Sequence, residues 1–209
     1  QYQYHPEHPD VVTSMQFERL LNASGPTAGH VVRGSDHREP KRIGFIQCIG
    51  SRSTAEGKPY CSSVCCAYAT KEAMIAVEHD PELEVYIFNI DVRVFGKSFE
   101  EFYQRAQKDY GIKYIDSRPS GVGVRDDGSL YVMYEDHESG KVKTMDLDMV
   151  VLSVGLDTNP KIYELAEALG IKLNEYGFVE TKMEAPVCTS REGVYVLGAA
   201  QGPKDIPDT

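Results

Sequence analysis

The sequence lacks the features that would tie the protein to a membrane, to secretion or to nucleic acid. No apolar run approaches the ~20 residues of a membrane-spanning helix, and no signal peptide opens the chain. Lys and Arg form no cluster of the kind that binds phosphate backbones, and the formal net charge is -10. We therefore expect a cytoplasmic protein with no membrane span and no nucleic-acid partner.

Two further absences concern the ends of the chain. It begins at Gln1 rather than at an initiator methionine, and residues 202–209 resemble the start of another element more than a finished terminus. We expect an internal fragment of a longer protein. The 209 residues suffice for a real hydrophobic core, either as one large domain or as one domain with pieces of another.

The chain has five cysteines, and without a secretion signal a disulfide framework is not expected. Four of them lie within nineteen residues: Cys48, Cys61, Cys65 and Cys66. Cys188 stands alone, and we expect an ordinary buried or half-buried thiol there. Four thiolates without a histidine suit either zinc or an iron–sulfur cluster, because soft sulfur donors match both metals.

The spacing of these cysteines, Cys-x12-Cys-x3-Cys-Cys, differs from the paired Cys-x2-Cys knuckles of most zinc sites. Cys61 and Cys65 are four apart, so a helical turn leading into a helix that starts near Ser62 would place them on one face, and Cys66 would point about 100° away from Cys65. Such diverging ligands suit a bulky cluster, and the positive end of the helix dipole would stabilise anionic sulfur. We favour a cluster over zinc, and the third alternative is that these cysteines fill the core and bind no metal.

Strands and helices alternate through the first half of the chain. A capping box at Thr13–Gln16 predicts a first short helix. Three runs rich in apolar residues predict strands at Ile43–Ile49, Glu84–Ile90 and Ile112–Ile115. Between them we predict a helix that begins before Cys66 and ends near His79, and a second helix from a capping box at Ser98–Glu101 to Gly111. The pattern is typical of a right-handed parallel α/β unit.

The pattern changes after this unit. Turn signals at Asp126–Gly128 and Glu138–Gly140 separate the short alternating runs Leu130–Tyr134 and Val142–Met145, which predicts an antiparallel meander. The apolar run Leu147–Val154 then predicts a buried strand. The fold class is therefore α/β, a Rossmann-like domain with a β-meander.

We divide the chain into three parts. Residues 1–39 form a flanking segment and linker, residues 40–156 form the Rossmann-like domain that carries the cysteines, and residues 157–209 return to the flanking domain. In the last part we predict a helix at Lys161–Leu169 that ends at Gly170.

A dinucleotide fingerprint does not follow the strand at Ile43–Ile49. An NAD(P)-dependent flavin reductase needs G-x-G-x-x-G at this place, and Gly50 and Gly57 do not supply it. That function is a disfavoured alternative. A zinc-stabilised interaction module without a redox role is a second alternative.

Several stretches resemble the flavin and iron–sulfur subunit of heterodisulfide reductase. The most specific are Gly44–Arg52 (GFIQCIGSR) and Tyr60–Lys71 (YCSSVCCAYATK). Phe17–Pro26, Phe99–Arg105 and Gly198–Asp208 also resemble that family. The resemblance implies a thioredoxin-reductase-like core of the pyridine-nucleotide-disulfide-oxidoreductase type. In that core one Rossmann domain binds FAD, and the second is altered to carry a [4Fe-4S] cluster near the flavin.

The resemblance also implies roles for particular residues. The cluster ligands would be Cys48, Cys61, Cys65 and Cys66. The flanking residues 1–39 and 157–209 would belong to the FAD domain, and its C-terminal glycine motif along the FAD would correspond to Gly198, Gln201, Gly202 and Lys204. Related flavoproteins have an acidic residue after the glycine, where this chain has Ala199.

The implied function is electron transfer between FAD and iron–sulfur clusters, in an oxidoreductase complex with other redox subunits. No catalytic acid, base or nucleophile is needed for this role, and we interpret His79 and His137 as surface residues. The part of the flavin domain that carries the glycine fingerprint is absent from these residues. We therefore expect the fragment alone to bind flavin weakly or not at all, and to be inactive.

Overall fold

The computed structural model describes residues 7–209, so residues 1–6 of the predicted flanking segment lie outside the described residues. The chain divides into two compact units. Unit 1 contains the residues up to Ile49 together with Cys65–Val154, and unit 2 contains Gly50–Val64 and Gly155–Thr209. None of the helices within residues 7–209 has the length and apolar character that a bilayer span requires.

The elements of unit 1 follow the predicted alternation and then the predicted meander. In chain order they are β1 (Val11–Thr13), α1 (Ser14–Leu21), β2 (Arg42–Ile49), α2 (Cys65–His79), β3 (Glu84–Asn89), α3 (Phe99–Lys108), β4 (Lys113–Asp116), β5 (Val122–Val124), β6 (Leu130–Asp136), β7 (Lys141–Leu147) and β8 (Met149–Val154). Five of the strands form one sheet and three form another.

The five-stranded sheet is parallel, with the order β1-β8-β2-β3-β4. The chain moves outward from β2 through β3 and β4 on one side, and returns through β8 on the other side of β2. The strand order therefore reverses between β2 and β8, which makes this point the topological switch point of the sheet. The prediction of a parallel Rossmann-like unit is confirmed.

The three-stranded sheet is the predicted meander. Strands β5, β6 and β7 pair antiparallel. Gly128 and Gly140 occupy the left-handed region, with φ of +83° and +63°, so the turns at these two positions are confirmed.

The side chains of the parallel sheet alternate between two apolar clusters. One cluster lies on the face covered by α1 and α2, and we call this the helix-side face. It includes Phe17 of α1 and Phe45 of β2, whose rings meet edge to face at 5.3 Å. The other cluster contains Ile46 and Phe88 from the opposite face, together with Val132 of the meander. The sheet is thus covered on both faces, as a parallel sheet requires.

The two predicted capping boxes have different outcomes. At α1 the box is confirmed, because the backbone N–H of Thr13 donates to Gln16 Oε1 at 2.8 Å and that of Gln16 donates to Thr13 Oγ1 at 3.3 Å. At α3 the box is wrong, since Ser98 lies in the left-handed region at φ +70° and its side chain makes no capping hydrogen bond. The helix still forms, because its apolar stripe packs Ala106 into the core.

The start of α2 is also a correction. We expected this helix to begin near Ser62, but it begins at Cys65. Ser63 takes a left-handed φ of +63°, and the buried hydroxyl of Ser62 accepts a hydrogen bond from Leu156 N at 2.8 Å. Both features hold the chain outside helical geometry. Cys61 therefore lies in a loop and does not share a helix face with Cys65.

Unit 2 contains α4 (Ile162–Leu169), which ends at the predicted Gly170 with a left-handed φ of +63°. The aromatic ring of Tyr60 packs against those of Tyr176 and Phe178, with centroids 5.3 and 5.4 Å apart. These contacts join the segment Gly50–Val64 to the C-terminal part of the chain within one unit. The assignment of residues 1–39 and 157–209 to a flavin-binding domain stays a prediction, although β1 itself pairs with β8 in the sheet of unit 1.

Gly155 lies so close to its neighbours that any side chain at this position would force neighbouring atoms to move. A Cβ there would lie 2.5 Å from Ser62 Oγ, 3.0 Å from Ser51 Cβ and 3.1 Å from the carbonyl oxygen of Gly50. Gly155→Ala should therefore destabilise the protein by about 1–3 kcal/mol, because Ser62 Oγ, which accepts the hydrogen bond from Leu156 N, must move to relieve the overlap. Thermal denaturation followed by circular dichroism measures the effect.

Gly202→Ala is the matched control, since a Cβ at Gly202 would meet no atom within 4 Å. Its melting temperature should equal that of the parent protein within about a degree, given the size of shift expected per kcal/mol. Equal melting temperatures for both variants would contradict the close packing of Gly155.

Candidate metal centre

Three of the four predicted ligands lie at one edge of the parallel sheet in unit 1. Cys48 lies near the carboxyl end of β2, and Cys65 and Cys66 are the first two residues of α2. This edge is the carboxyl edge at the switch point between β2 and β8. Open α/β sheets bind their ligands at this position, because the loops that leave neighbouring strands diverge there.

Cys65 is held against the end of β8. Its side chain is 6% exposed, and its Sγ donates to the carbonyl oxygen of Val154 at 3.7 Å. The hydroxyl of Tyr68, one turn further along α2, donates to the same carbonyl at 2.7 Å. Burial raises the pKa of Tyr68 well above its usual value, and the nearby Cys65 raises it further, so this hydroxyl keeps its proton at neutral pH.

Cys66 is half-buried and accepts a hydrogen bond from a backbone amide. The donor is the N–H of Arg93, in the segment after β3, and its nitrogen lies 3.4 Å from Cys66 Sγ. Amide donors to sulfur stabilise a thiolate, because they place a positive dipole end against its negative charge. Hydrogen bonds to the sulfurs are also one way in which proteins set the potential of an iron–sulfur cluster.

Cys48 occupies a backbone conformation that is uncommon for a residue with a side chain. Its φ is +63°, and the register between β2 and β8 shifts between Ile46 and Ile49. Its carbonyl oxygen accepts a hydrogen bond from Arg118 Nη2 at 3.1 Å. Residues in the left-handed region occur at sites where the surrounding structure imposes the conformation, and such sites are often functional.

Cys61 belongs to unit 2, in the loop that precedes α2. Its Sγ accepts a hydrogen bond from the backbone N–H of Ser63 at 3.4 Å. The neighbouring Ser62 is fully buried, and its backbone N–H donates to Ser51 Oγ at 3.0 Å. The loop around Cys61 is therefore fixed by hydrogen bonds within its own unit.

The donor set fits an iron–sulfur cluster in its chemistry. The candidate ligands are all sulfur, and two of them, Cys61 and Cys66, already accept backbone N–H groups. Within residues 7–209, no group of three or more His, Cys, Asp or Glu side chains is placed to hold a single metal ion. In a four-iron cluster each thiolate binds a different iron, so its ligands surround a larger body than one ion.

The predicted flavin-contact residues lie together in unit 2. Gly198 has a left-handed φ of +67° and begins a short 3-10 turn. Its carbonyl oxygen accepts a hydrogen bond from the backbone N–H of Gln201 at 3.0 Å. The side-chain amide of Gln201 donates to the carbonyl of Pro186, and its oxygen accepts a hydrogen bond from Lys204 Nζ. Their contact with FAD, and that of Gly202, stays a prediction.

The remaining candidates have ordinary surroundings. Cys188 is half-buried, as predicted, and forms an isolated β-bridge with Tyr195. His79 and His137 are exposed, as predicted, and a ring nitrogen of His79 lies 2.8 Å from the carbonyl oxygen of Gly29. The sequence did not predict the roles of Arg93 and Arg118. Arg93 donates its backbone N–H to Cys66, and Arg118 donates from its side chain to the carbonyl of Cys48, 70 positions away, so neither forms a recognisable motif with the cysteines.

Comparison with known proteins agrees with this fold. The profile of the family described as pyridine nucleotide-disulphide oxidoreductase matches residues 60–208. The chain belongs to this family. Among solved structures, this family member resembles the thioredoxin reductase of T. acidophilum, with a TM-score of 0.56 and 17% identity over 96% of this chain and 53% of that one. The likeness at this identity concerns the fold.

Curated relatives confirm the resemblance to heterodisulfide reductase. The chain is 48% identical to a subunit of the "H(2):CoB-CoM heterodisulfide,ferredoxin reductase" of Methanothermobacter thermautotrophicus, over 96% of this chain and 31% of that protein. It is 45% identical to a "CoB--CoM heterodisulfide reductase iron-sulfur subunit" of Methanocaldococcus jannaschii, over 97% of this chain and 31% of that protein. The chain thus spans about a third of the length of these relatives.

Proposed function

We propose that this chain is the electron-transfer portion of a subunit of the heterodisulfide reductase type, in which it relays electrons between FAD and a [4Fe-4S] cluster. The observation that carries the proposal is the position of Cys48, Cys65 and Cys66 at the carboxyl edge of the switch point. A relative at 45% identity is named an iron–sulfur subunit, which supports the choice of metal.

The proposed ligands are the four clustered cysteines, Cys48, Cys61, Cys65 and Cys66. When bound, the cluster supplies one-electron transfer, and FAD supplies the exchange of an electron pair. The chain would bind the cluster and tune its reduction potential. The amides of Ser63 and Arg93 stabilise negative charge on sulfur, and the buried surroundings of Cys48 and Cys65 exclude water. Gly198, Gln201, Gly202 and Lys204 are the proposed flavin contacts.

We further propose that the chain works within a complex of redox subunits in an anaerobic cytoplasm. The names of the relatives support this, because they describe subunits of reductases that act on the CoB–CoM heterodisulfide. We assign substrate turnover to the assembled complex and electron transfer to this chain.

Anaerobic reconstitution of the chain with iron and sulfide tests the proposal. We expect iron and acid-labile sulfide in the ratio of a [4Fe-4S] cluster, and an electron paramagnetic resonance signal of the reduced cluster after dithionite is added. Stoichiometric zinc without iron or sulfide would favour an interaction module instead. Protection of the cluster-free chain against thermal unfolding by saturating NADH would favour a nucleotide-dependent reductase.

A further inference from the structure

Three polar side chains form a row across three adjacent strands of the parallel sheet, at their carboxyl ends. Ile46 of β2 pairs with Phe88 of β3 and with Leu152 of β8. The next residue on each of these adjacent strands is polar: Asn89 on β3, Gln47 on β2 and Ser153 on β8. All three are buried, with exposed fractions of 1%, 1% and 0%.

This row lies on the helix-side face, at the carboxyl edge. Two residues earlier on the same strands, Ile87, Phe45 and Val151 belong to the cluster covered by α1 and α2. The residues between, Ile46, Phe88 and Leu152, belong to the cluster on the opposite face, so alternation places the polar row on the face of Phe45, Ile87 and Val151, just where the register of β2 and β8 begins to shift. Cys65, the first residue of α2, bonds the carbonyl oxygen of Val154, which directly follows Ser153. The row is therefore close to the beginning of α2, where two proposed ligands lie.

The row contains hydrogen-bonding groups without a partner among the described residues. Both polar atoms of the Gln47 amide and the hydroxyl of Ser153 make no hydrogen bond within residues 7–209. Asn89 differs, since its amide nitrogen donates to Asp116 Oδ1 at 2.7 Å and only its oxygen is unsatisfied. Burying a donor without an acceptor is costly, so such groups in a native fold call for a ligand or a role.

We propose that Gln47 and Ser153 donate hydrogen bonds to sulfur atoms of the cluster and thereby raise its reduction potential. The inference rests on the proposed function, because it needs the cluster as acceptor. Cluster and cysteine sulfurs only accept hydrogen bonds, and Gln47 Nε2 and Ser153 Oγ are the donors of the row that have no acceptor within residues 7–209. Donors to sulfur favour the reduced form, which carries one more negative charge than the oxidised form.

Two substitutions remove these donors with little change in volume, Gln47→Met and Ser153→Ala. In reconstituted chains, each should lower the midpoint potential of the cluster in a redox titration followed by electron paramagnetic resonance. A tenfold change in the reduction equilibrium is the expected size, which corresponds to about 59 mV for a one-electron couple. Matched controls are Gln104→Met on the exposed face of α3 and Ser139→Ala in the turn between β6 and β7, and neither should change the potential.

The cluster-free variants give a second readout. If the unsatisfied groups serve the cluster, Gln47→Met should leave the melting temperature of the cluster-free chain unchanged or raise it, because no hydrogen bond is lost there. A clear fall in that temperature would overturn the inference and indicate a structural role. Ser153→Ala provides an independent test of the same expectation, because the Ser153 hydroxyl also has no hydrogen bond within residues 7–209.

The inference and the proposed function can fail separately. Normal cluster content with an unchanged potential in both variants overturns the inference and leaves the proposed function intact. A parent chain that takes up no iron and sulfide overturns both.

Discussion

Replacement of Cys65 by serine should abolish cluster assembly, and Cys188→Ser should leave it intact. A serine hydroxyl does not ionise near neutral pH and cannot replace the thiolate that an iron atom requires. Cys65 lies at the start of α2, 6% exposed, whereas Cys188 is a half-buried thiol in unit 2. Iron and acid-labile sulfide per chain after anaerobic reconstitution, together with the signal of the reduced cluster, measure the outcome.

The substitution at Cys65 is suited to this test because it should preserve the fold. Serine is close to cysteine in size, and its hydroxyl can donate to the carbonyl of Val154 as the thiol does. Circular dichroism of the cluster-free variant should therefore match that of the parent. Loss of the cluster in Cys188→Ser together with its retention in Cys66→Ser would show that the proposed ligand set is wrong.

The sheet and its order of elements could be predicted from the sequence because apolar periodicity reports burial directly. Runs such as Ile43–Ile49 and Leu147–Val154 are almost wholly apolar, as expected of strands covered on both faces. The meander could be predicted equally well, since Gly128 and Gly140 mark turns that need positive φ. These signals are local, and the parallel topology follows from their alternation.

The details around the cysteines could not be predicted because they depend on contacts that are distant in sequence. The loop before α2 is held by a hydrogen bond from Leu156, 94 positions after its acceptor Ser62, and nothing near Cys61 indicates it. The same holds for the donor to Cys66, the amide of Arg93, 27 positions away. The cysteine spacing indicated sulfur ligation, but it could not indicate which residues surround the sulfurs.

Gln47 illustrates a different limit of sequence reasoning. After Arg42, the rest of its strand is apolar, and a single polar residue there resembles a minor irregularity. Only the pairing of Ile46 with Phe88 of β3 and Leu152 of β8 shows that the next residues, Asn89 and Ser153, are polar like Gln47 at the same level of the sheet. Such a row becomes apparent only when neighbouring strands are aligned in the sheet, because each strand alone contributes a single residue to it.

Glu72 should make the protein less stable as pH rises through the neutral range. The side chain is 3% exposed on α2, and its pKa is raised from 4.5 to about 8, first by burial and then by the nearby carboxylate of Glu18. Between these two values the unfolded chain releases this proton and the folded chain keeps it, so stability falls as pH rises. At pH 7 the loss is on the order of 3 kcal/mol. Denaturant unfolding from pH 5 to pH 8.5 measures it.

Glu72→Gln removes the ionisable group and keeps its shape, so the variant should be more stable than the parent at pH 7 by up to about 3 kcal/mol and equal to it near pH 4.5. The ammonium group of Lys71, which pairs with Glu18 at 2.7 Å, opposes this increase in pKa and does not cancel it. Glu101→Gln, on the exposed surface of α3, is the control and should follow the parent at every pH. The same slope of stability against pH in Glu72→Gln and in the parent would refute the raised pKa. It would mean that Glu72 ionises in the folded protein as easily as in the unfolded chain.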